Sequence, residues 1–214
     1  MEWPDVGRRA AGRRLIVGVL VAAALLTACG NGPSSSAATS ESSPPAVASS
    51  SPVVAAPASA RAERVPQPVT LLIPALGVGA GLMRLGLQSN GTLQVPPDAM
   101  TPGWFTGAPA PGELGPAIIA GHVRWNGRAG IFADLERLRL EDRIIITRRN
   151  GTSAVFRVTR VSKFTKAQFP TDLVYGNIDH AGLRLITCDG LDSSGRVYRD
   201  NLVVFATLVT IRPS

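Results

Sequence analysis

Beyond Val65 the apolar positions fall in short runs separated by turn residues. Residues 69–73 are apolar and Pro74 breaks them. Ser89-Asn90-Gly91-Thr92 carries an Asn-Gly turn, favoured in tight hairpins because both residues tolerate positive φ, and Leu93 and Val95 follow at strand spacing. Residues 102–116 are too rich in Gly and Pro for regular structure. Residues 117–120 form a short apolar strand that runs into Gly121 and His122, and Ile131, Leu135 and Leu138 recur at the spacing of one or two helical turns. Strands are predicted at 142–147 and 154–164, joined by a second Asn-Gly turn at Asn150-Gly151. Phe156 and Val158 share a face while Val161 has the other parity, so a bulge is expected near Arg160. The last two strands are 183–188, stopping at Asp189-Gly190, and 201–211, which is apolar on both faces and therefore central. Many short strands with little helix predict a mainly β fold, a closed or nearly closed β-barrel with short helical turns.

The pattern changes before Val65 and divides the chain into three parts. Residues 1–29 begin with Arg8, Arg9, Arg13 and Arg14 and continue into an apolar stretch over 15–28, the layout of a secretory signal. The stretch is short for a span, which needs about 20 apolar residues. It ends in Leu26-Thr27-Ala28-Cys29-Gly30, which resembles a bacterial lipoprotein signal and makes Cys29 a candidate for lipidation. An uncleaved anchor and an ordinary cleaved signal are the alternatives. Residues 30–65, dominated by Ser, Pro and Ala, cannot bury enough apolar surface to fold and are expected to be a flexible linker. Residues 66–214 are the predicted barrel, expected on the extracytoplasmic face of the membrane.

Charge narrows the partners. The net charge is +7, of which the four arginines and two acids of the first 14 residues account for +2, leaving about +5 on the rest. That mildly basic balance suits an anionic membrane or wall polymer. No Lys/Arg stripe interleaved with aromatics appears, so nucleic acid is not an expected partner. No cofactor or metal site is expected.

Two cysteines and two histidines bound the chemistry. If Cys29 carries lipid, Cys188 is a lone thiol in an oxidising compartment, either a small buried hydrophobe or a nucleophile. Its position at a strand end beside Asp189-Gly190 favours the nucleophile. A thiol nucleophile needs a neighbour that can take and return a proton near neutral pH. His122 also ends a strand, whereas His180 lies about 26 Å from Cys188 along an extended chain. A single histidine is more often structural, but His122 is the candidate that can share a rim with the thiol. Acyl transfer also needs positive charge or donors near the developing oxyanion. Arg199 is brought back towards Cys188 if the last two strands pair antiparallel, with Arg196 as the alternative.

With those residues in place the chain resembles a sortase, most closely the class F group of actinobacteria. The resemblance rests on Leu72-Ile73-Pro74-Ala75-Leu76-Gly77-Val78, Asn90-Gly91-Thr92-Leu93, Pro111-Gly112-Glu113, Ala117-Ile118-Ile119-Ala120-Gly121-His122, Phe169-Pro170 with Val174-Tyr175-Gly176, and Leu185-Ile186-Thr187-Cys188. It implies a sortase barrel and a cysteine transpeptidase. Cys188 would attack the threonine carbonyl of an LPXTG-like sorting signal, His122 would protonate the leaving amine, and Arg199 would steady the oxyanion or the substrate backbone. A cell-wall precursor amine would release the acyl group, and surface proteins bearing the signal would be the partners. Residues 164–179, with Phe169, Leu173, Val174 and Tyr175, would line the groove. Arg184 stands where many sortases have Thr, and Asp189 where this class often has Gly. Aligning the final strand by its apolar residues puts Asn201, instead of Arg199, near the family's arginine. The competing reading is a non-catalytic, lipid-anchored β-barrel that binds at the cell wall.

Overall fold

In a computed structural model of the chain, residues 65–195 and 197–214 are described. The expectations for the signal segment, for nearly all of the linker, for Cys29 and for Arg196 lie outside the described residues. Among the described residues no helix is long and apolar enough to cross a membrane.

The described residues form eleven strands: β1 Pro68–Ile73, β2 Val78–Gly81, β3 Met83–Leu85, β4 Gly103–Phe105, β5 Gly115–Ala120, β6 Arg124–Trp125, β7 Arg128–Ala129, β8 Arg143–Arg148, β9 Thr152–Thr165, β10 Ala181–Leu191 and β11 Tyr198–Pro213. Nine of them make one sheet in the order β2-β1-β8-β9-β11-β10-β5-β4-β3, and β6 pairs with β7 in a separate hairpin. The two edge strands, β2 and β3, are joined by Leu82 alone. Leu82 donates its backbone N–H to Val69 on the β1 side, and Met83 donates to Pro102 at the start of β4. A sheet whose first and last strands are one residue apart in sequence has to curl until its edges meet, so the architecture is a nearly closed barrel. The predicted mainly β barrel is the observed fold, and β11 is its central strand.

The interior is filled from every wall. Leu71 and Ile73 of β1, Ile119 of β5, Ile144 and Ile146 of β8, Phe156 and Val158 of β9, Leu183 and Leu185 of β10, and Leu202 and Val204 of β11 form one buried cluster. A second cluster sits on the outer face of the same central strands: Ile118 and Ala120, Ile186, Val203 and Phe205 lie under Val174, Phe164, Phe169 and Tyr175. The apolar two-sidedness of β11 follows from this, because each face of the sheet has its own cover. The bulge falls at Thr159, where the partners of Phe205 and Ala206 jump from Arg160 to Val158. That extra residue turns Val161 inward to join the interior cluster despite its parity.

Three expectations are corrected. The Gly/Pro-rich stretch 102–116 contains β4, whose Gly103 pairs with Ala120 and with Met83, because the neighbouring strands supply the ladder. The Asn90-Gly91 turn forms, with Gly91 at φ 83°, but it closes only an isolated bridge between Leu87 and Leu93 in place of a hairpin. The strand carrying Cys188 does not stop at Asp189: Asp189 pairs with Asp200 and Leu191 with Tyr198. Backbone pairing with β11 is indifferent to side-chain polarity, so the strand continues to Leu191.

Among the described residues helix is confined to the five-residue α1, Thr171–Tyr175, and to single 3-10 turns at Pro74–Leu76, Leu135–Arg137 and Lys166–Gln168. The helical spacing of Ile131, Leu135 and Leu138 buries all three, with regular helix over only part of the stretch.

Candidate active site

The site is built where β5 stops and β10 continues. These strands are parallel neighbours whose register runs from Ala181 beside Gly115 to Ile186 beside Ala120. The Gly121 N–H then donates to the Ile186 carbonyl, the last bond of the ladder. Counting on in that register, His122 falls level with Cys188. The two residues are 66 positions apart in sequence, and the parallel crossover through the barrel brings them to one end of it.

Beyond Ala120 the chain leaves the sheet and turns through the β6-β7 hairpin, whose Asn126 and Gly127 both have positive φ. Trp125 of that hairpin packs its ring 4.5 Å from the His122 ring. The His122 carbonyl accepts from the Phe132 N–H, and a Cβ on Gly130 would overlap that carbonyl, so residue 130 has no room for a side chain. The imidazole is buried, and its Nε2 lies 2.8 Å from the Pro96 carbonyl. A carbonyl only accepts, so Nε2 carries the proton and Nδ1 holds the lone pair. Nδ1 is buried without a partner. Asp98, in the turn that follows Pro96, has its carboxyl held below the usual range chiefly by the Met100 N–H and the Thr101 hydroxyl, with His122 adding a smaller attraction.

Cys188 is a free thiol, 1% exposed. Burial pushes it above its ordinary value, while Lys166 pulls the other way. It borders a cleft of about 40 Å³ with Val123, Phe132, Ala133, Glu136 and Leu202. A strand-end rim position was expected. The residue is instead interior to β10, beyond the end of β5, and covered. Across the antiparallel ladder its partner is Asn201, and Asn201 in turn pairs with Phe164 of β9. Asn201 is fully buried, and neither its amide nitrogen nor its oxygen has a hydrogen-bond partner. The hydroxyl of Thr187, next to the thiol, is likewise unpartnered. Buried polar atoms are normally paired; those of Thr187 and Asn201, the chain and ladder neighbours of Cys188, are not, and neither are His122 Nδ1, Tyr175 Oη or Arg184 Nε.

The remaining candidates are less central. Arg199 lies on β11 two residues before Asn201, on the same face by strand parity, but it is exposed. His180 is exposed at the opposite end of β10, where its Nδ1 meets Asp179 at 2.9 Å, so it has no part in this site. Outside the thiol, Lys163 bridges Glu136 and Asp189 at 2.8 Å each. The Tyr198 phenol is raised mainly by burial, with Arg124 lowering it and Cys188 raising it slightly. The residues expected to line a groove pack together in part: Phe164 meets Phe169 edge-on at 6.2 Å and Phe169 meets Tyr175 at 6.0 Å, with Val174 buried beneath, while Leu173 is exposed. On the same outer face a cavity of about 520 Å³ opens between Ile118 of β5 and Tyr175. Sequence reasoning did not find the Pro96 carbonyl, because a backbone group carries no residue signature. Asn201 was visible only as a shift of alignment.

A nearly closed barrel with a buried thiol inside one strand and a buried imidazole just past the end of its parallel neighbour defines a class of thiol enzyme by its layout. The description "Sortase domain" matches residues 71–209, and the chain belongs to the sortase family. Family membership makes it a cysteine transpeptidase in general terms. Among solved structures, the SrtA sortase from Actinomyces oris is 21% identical with a TM-score of 0.52, covering 68% of this chain and 81% of that one. Sortase A of Listeria monocytogenes is 15% identical with a TM-score of 0.53, covering 70% and 92%. Sortase C-3 of Streptococcus pneumoniae is 17% identical with a TM-score of 0.52, covering 70% and 66%. At these identities the likeness is one of fold. No curated protein sequence matches the chain.

Proposed function

We propose that the chain cleaves an LPXTG-like sorting signal through a thioacyl intermediate on Cys188 and passes the acyl group to a cell-wall amine, as a class F-like sortase. The observation that carries this reading is the parallel register of β5 and β10, which counted two residues past Ala120 and Ile186 sets His122 level with Cys188, with Nδ1 of His122 buried and unpartnered. The thiol proton passes to Nδ1 as sulfur attacks the carbonyl carbon. The S–C bond forms and the carbonyl pair moves to oxygen. When the C–N bond breaks, the imidazolium returns the proton to the leaving amine. Proton transfer of this kind contributes about 10²- to 10⁴-fold. Arg199, exposed at the mouth, holds the substrate backbone, and the wall of Phe164, Phe169 and Tyr175 receives its apolar residues. The protein works outside the cell, tied to the membrane through a diacylated Cys29. Two acyl chains give a stable anchor where one does not.

The test incubates the full-length chain with fluorescent Leu-Pro and Leu-Ala variants of the sorting peptide and an amine acceptor. Cleavage with amine-dependent product, lost in Cys188→Ala, is expected. Peptide capture that survives Cys188→Ala with no thioester would establish a binding module instead. For the tether, an intact mass of membrane-extracted protein that shows unmodified Cys29 would reject lipidation.

A further inference from the structure

Three strands place one row of side chains on the groove face: Cys188 on β10, Asn201 on β11 and Phe164 on β9. Side chains directly opposite in an antiparallel pair have Cβ atoms about 4.5–5.5 Å apart, so the Asn201 carboxamide reaches a group bonded to the Cys188 sulfur. Asn201 is fully buried, and both polar atoms of its side chain lack partners. Neither packing nor a structural hydrogen bond accounts for an amide in this position, since an apolar residue of the same shape avoids the desolvation penalty. Arg199, the charged alternative, is exposed one strand repeat further out. A donor aimed at developing charge works best where water is excluded and no reorganisation is needed, which describes Asn201.

We propose that the Asn201 side-chain amide is the donor to the carbonyl oxygen of whatever acyl group Cys188 attacks. As the S–C bond forms and the carbonyl electron pair moves to oxygen, Nδ2 supplies a hydrogen bond that the resting site lacks. Asn201 is thus a catalytic residue, and Arg199 has the outer role of holding substrate. This assignment deepens the transpeptidase reading and rests on Cys188 being the nucleophile.

The test avoids dependence on the sorting signal. Full-length wild type, Asn201→Ala and the near-isosteric Asn201→Asp are titrated with a carbonyl-¹³C-labelled N-acetyl amino aldehyde. Addition of the thiol across the C=O bond gives a thiohemiacetal, read by NMR, in which sulfur bonds to carbon and the proton ends on oxygen. Alkylation of Cys188 by iodoacetamide, which displaces iodide at a saturated carbon and develops no oxyanion, is measured alongside. The expected result is a thiohemiacetal about 2- to 10-fold weaker in both variants, the loss of one hydrogen bond to the neutral adduct oxygen, with alkylation changed less than about 1.5-fold. Equal aldehyde affinity in wild type and both variants overturns the assignment. So does an equal loss of both reactions, which marks a structural role. If wild type forms the thiohemiacetal through Asn201 but transfers no sorting peptide, the proposed substrate class fails and the donor stands.

Discussion

The resting charge state of the site can be tested by titrating Cys188. Its thiol is 1% exposed, and burial raises its pKa above the ordinary 9.0. His122 uses Nε2 on the Pro96 carbonyl, and its free Nδ1 makes no hydrogen bond to sulfur. Both observations point to a neutral resting thiol, not a preformed thiolate. At pH 7 a thiol with an ordinary pKa is about 1% thiolate, and each further unit of elevation removes another factor of ten. The sign follows directly: a raised thiol pKa keeps the proton on sulfur through the neutral range, so reactivity climbs with pH. The assay is iodoacetamide alkylation of the full-length native chain between pH 6 and 10, with the Cys188 peptide quantified by mass spectrometry so that Cys29 does not contribute. The rate is expected to rise about tenfold per pH unit up to pH 9 with no plateau below it. In denaturant, where burial is lost, the same thiol reacts at least about tenfold faster at pH 7. A native profile that levels off between pH 6 and 7 would refute the reasoning, because it would require a thiolate held by a charged neighbour in the resting site.

Gly130→Ala drives a Cβ into the His122 carbonyl; overpacking of this kind costs about 1–3 kcal/mol. It is expected to lower the urea midpoint and to reduce acyl transfer more than Cys188 alkylation. Lys163→Met removes the cation between Glu136 and Asp189. Those pairs raise the Lys163 ammonium well above its ordinary value, led by Asp189 and then Glu136. Their stabilisation is therefore fully present below the ordinary lysine pKa and fades only in strong alkali. Because Lys163 is half exposed, solvent screening holds the loss to about 0.5–1 kcal/mol, and it should shrink further in 1 M salt when thermal unfolding is compared with wild type.

Much of the fold was legible from local signals. Runs of β-formers bounded by Gly, Pro and Asn-Gly turns located β1, β5, β8, β9, β10 and β11, and the parity change at Val161 located the bulge beside Arg160. Those signals are local because a strand's inward and outward positions alternate with period two whatever it pairs with. β4 was missed because three residues, Gly103, Trp104 and Phe105, become a strand only when β3 and β5 flank them. The continuation of β10 past Cys188 was missed for the same reason.

By itself the sequence determined a β-rich chain with two cysteines and two histidines, of which Cys188 and His122 each follow an apolar run, and the order in which those runs occur. Only the tertiary structure decided that β5 and β10 lie side by side and parallel, which sets His122 level with Cys188. It alone covered the thiol, turned Nε2 to Pro96 and set Asn201 opposite the sulfur. The physical reason is that register and burial are properties of pairs of strands. A residue's own chemistry says what it can do, whereas the neighbour across the ladder, unknown until the barrel closes, says what it faces.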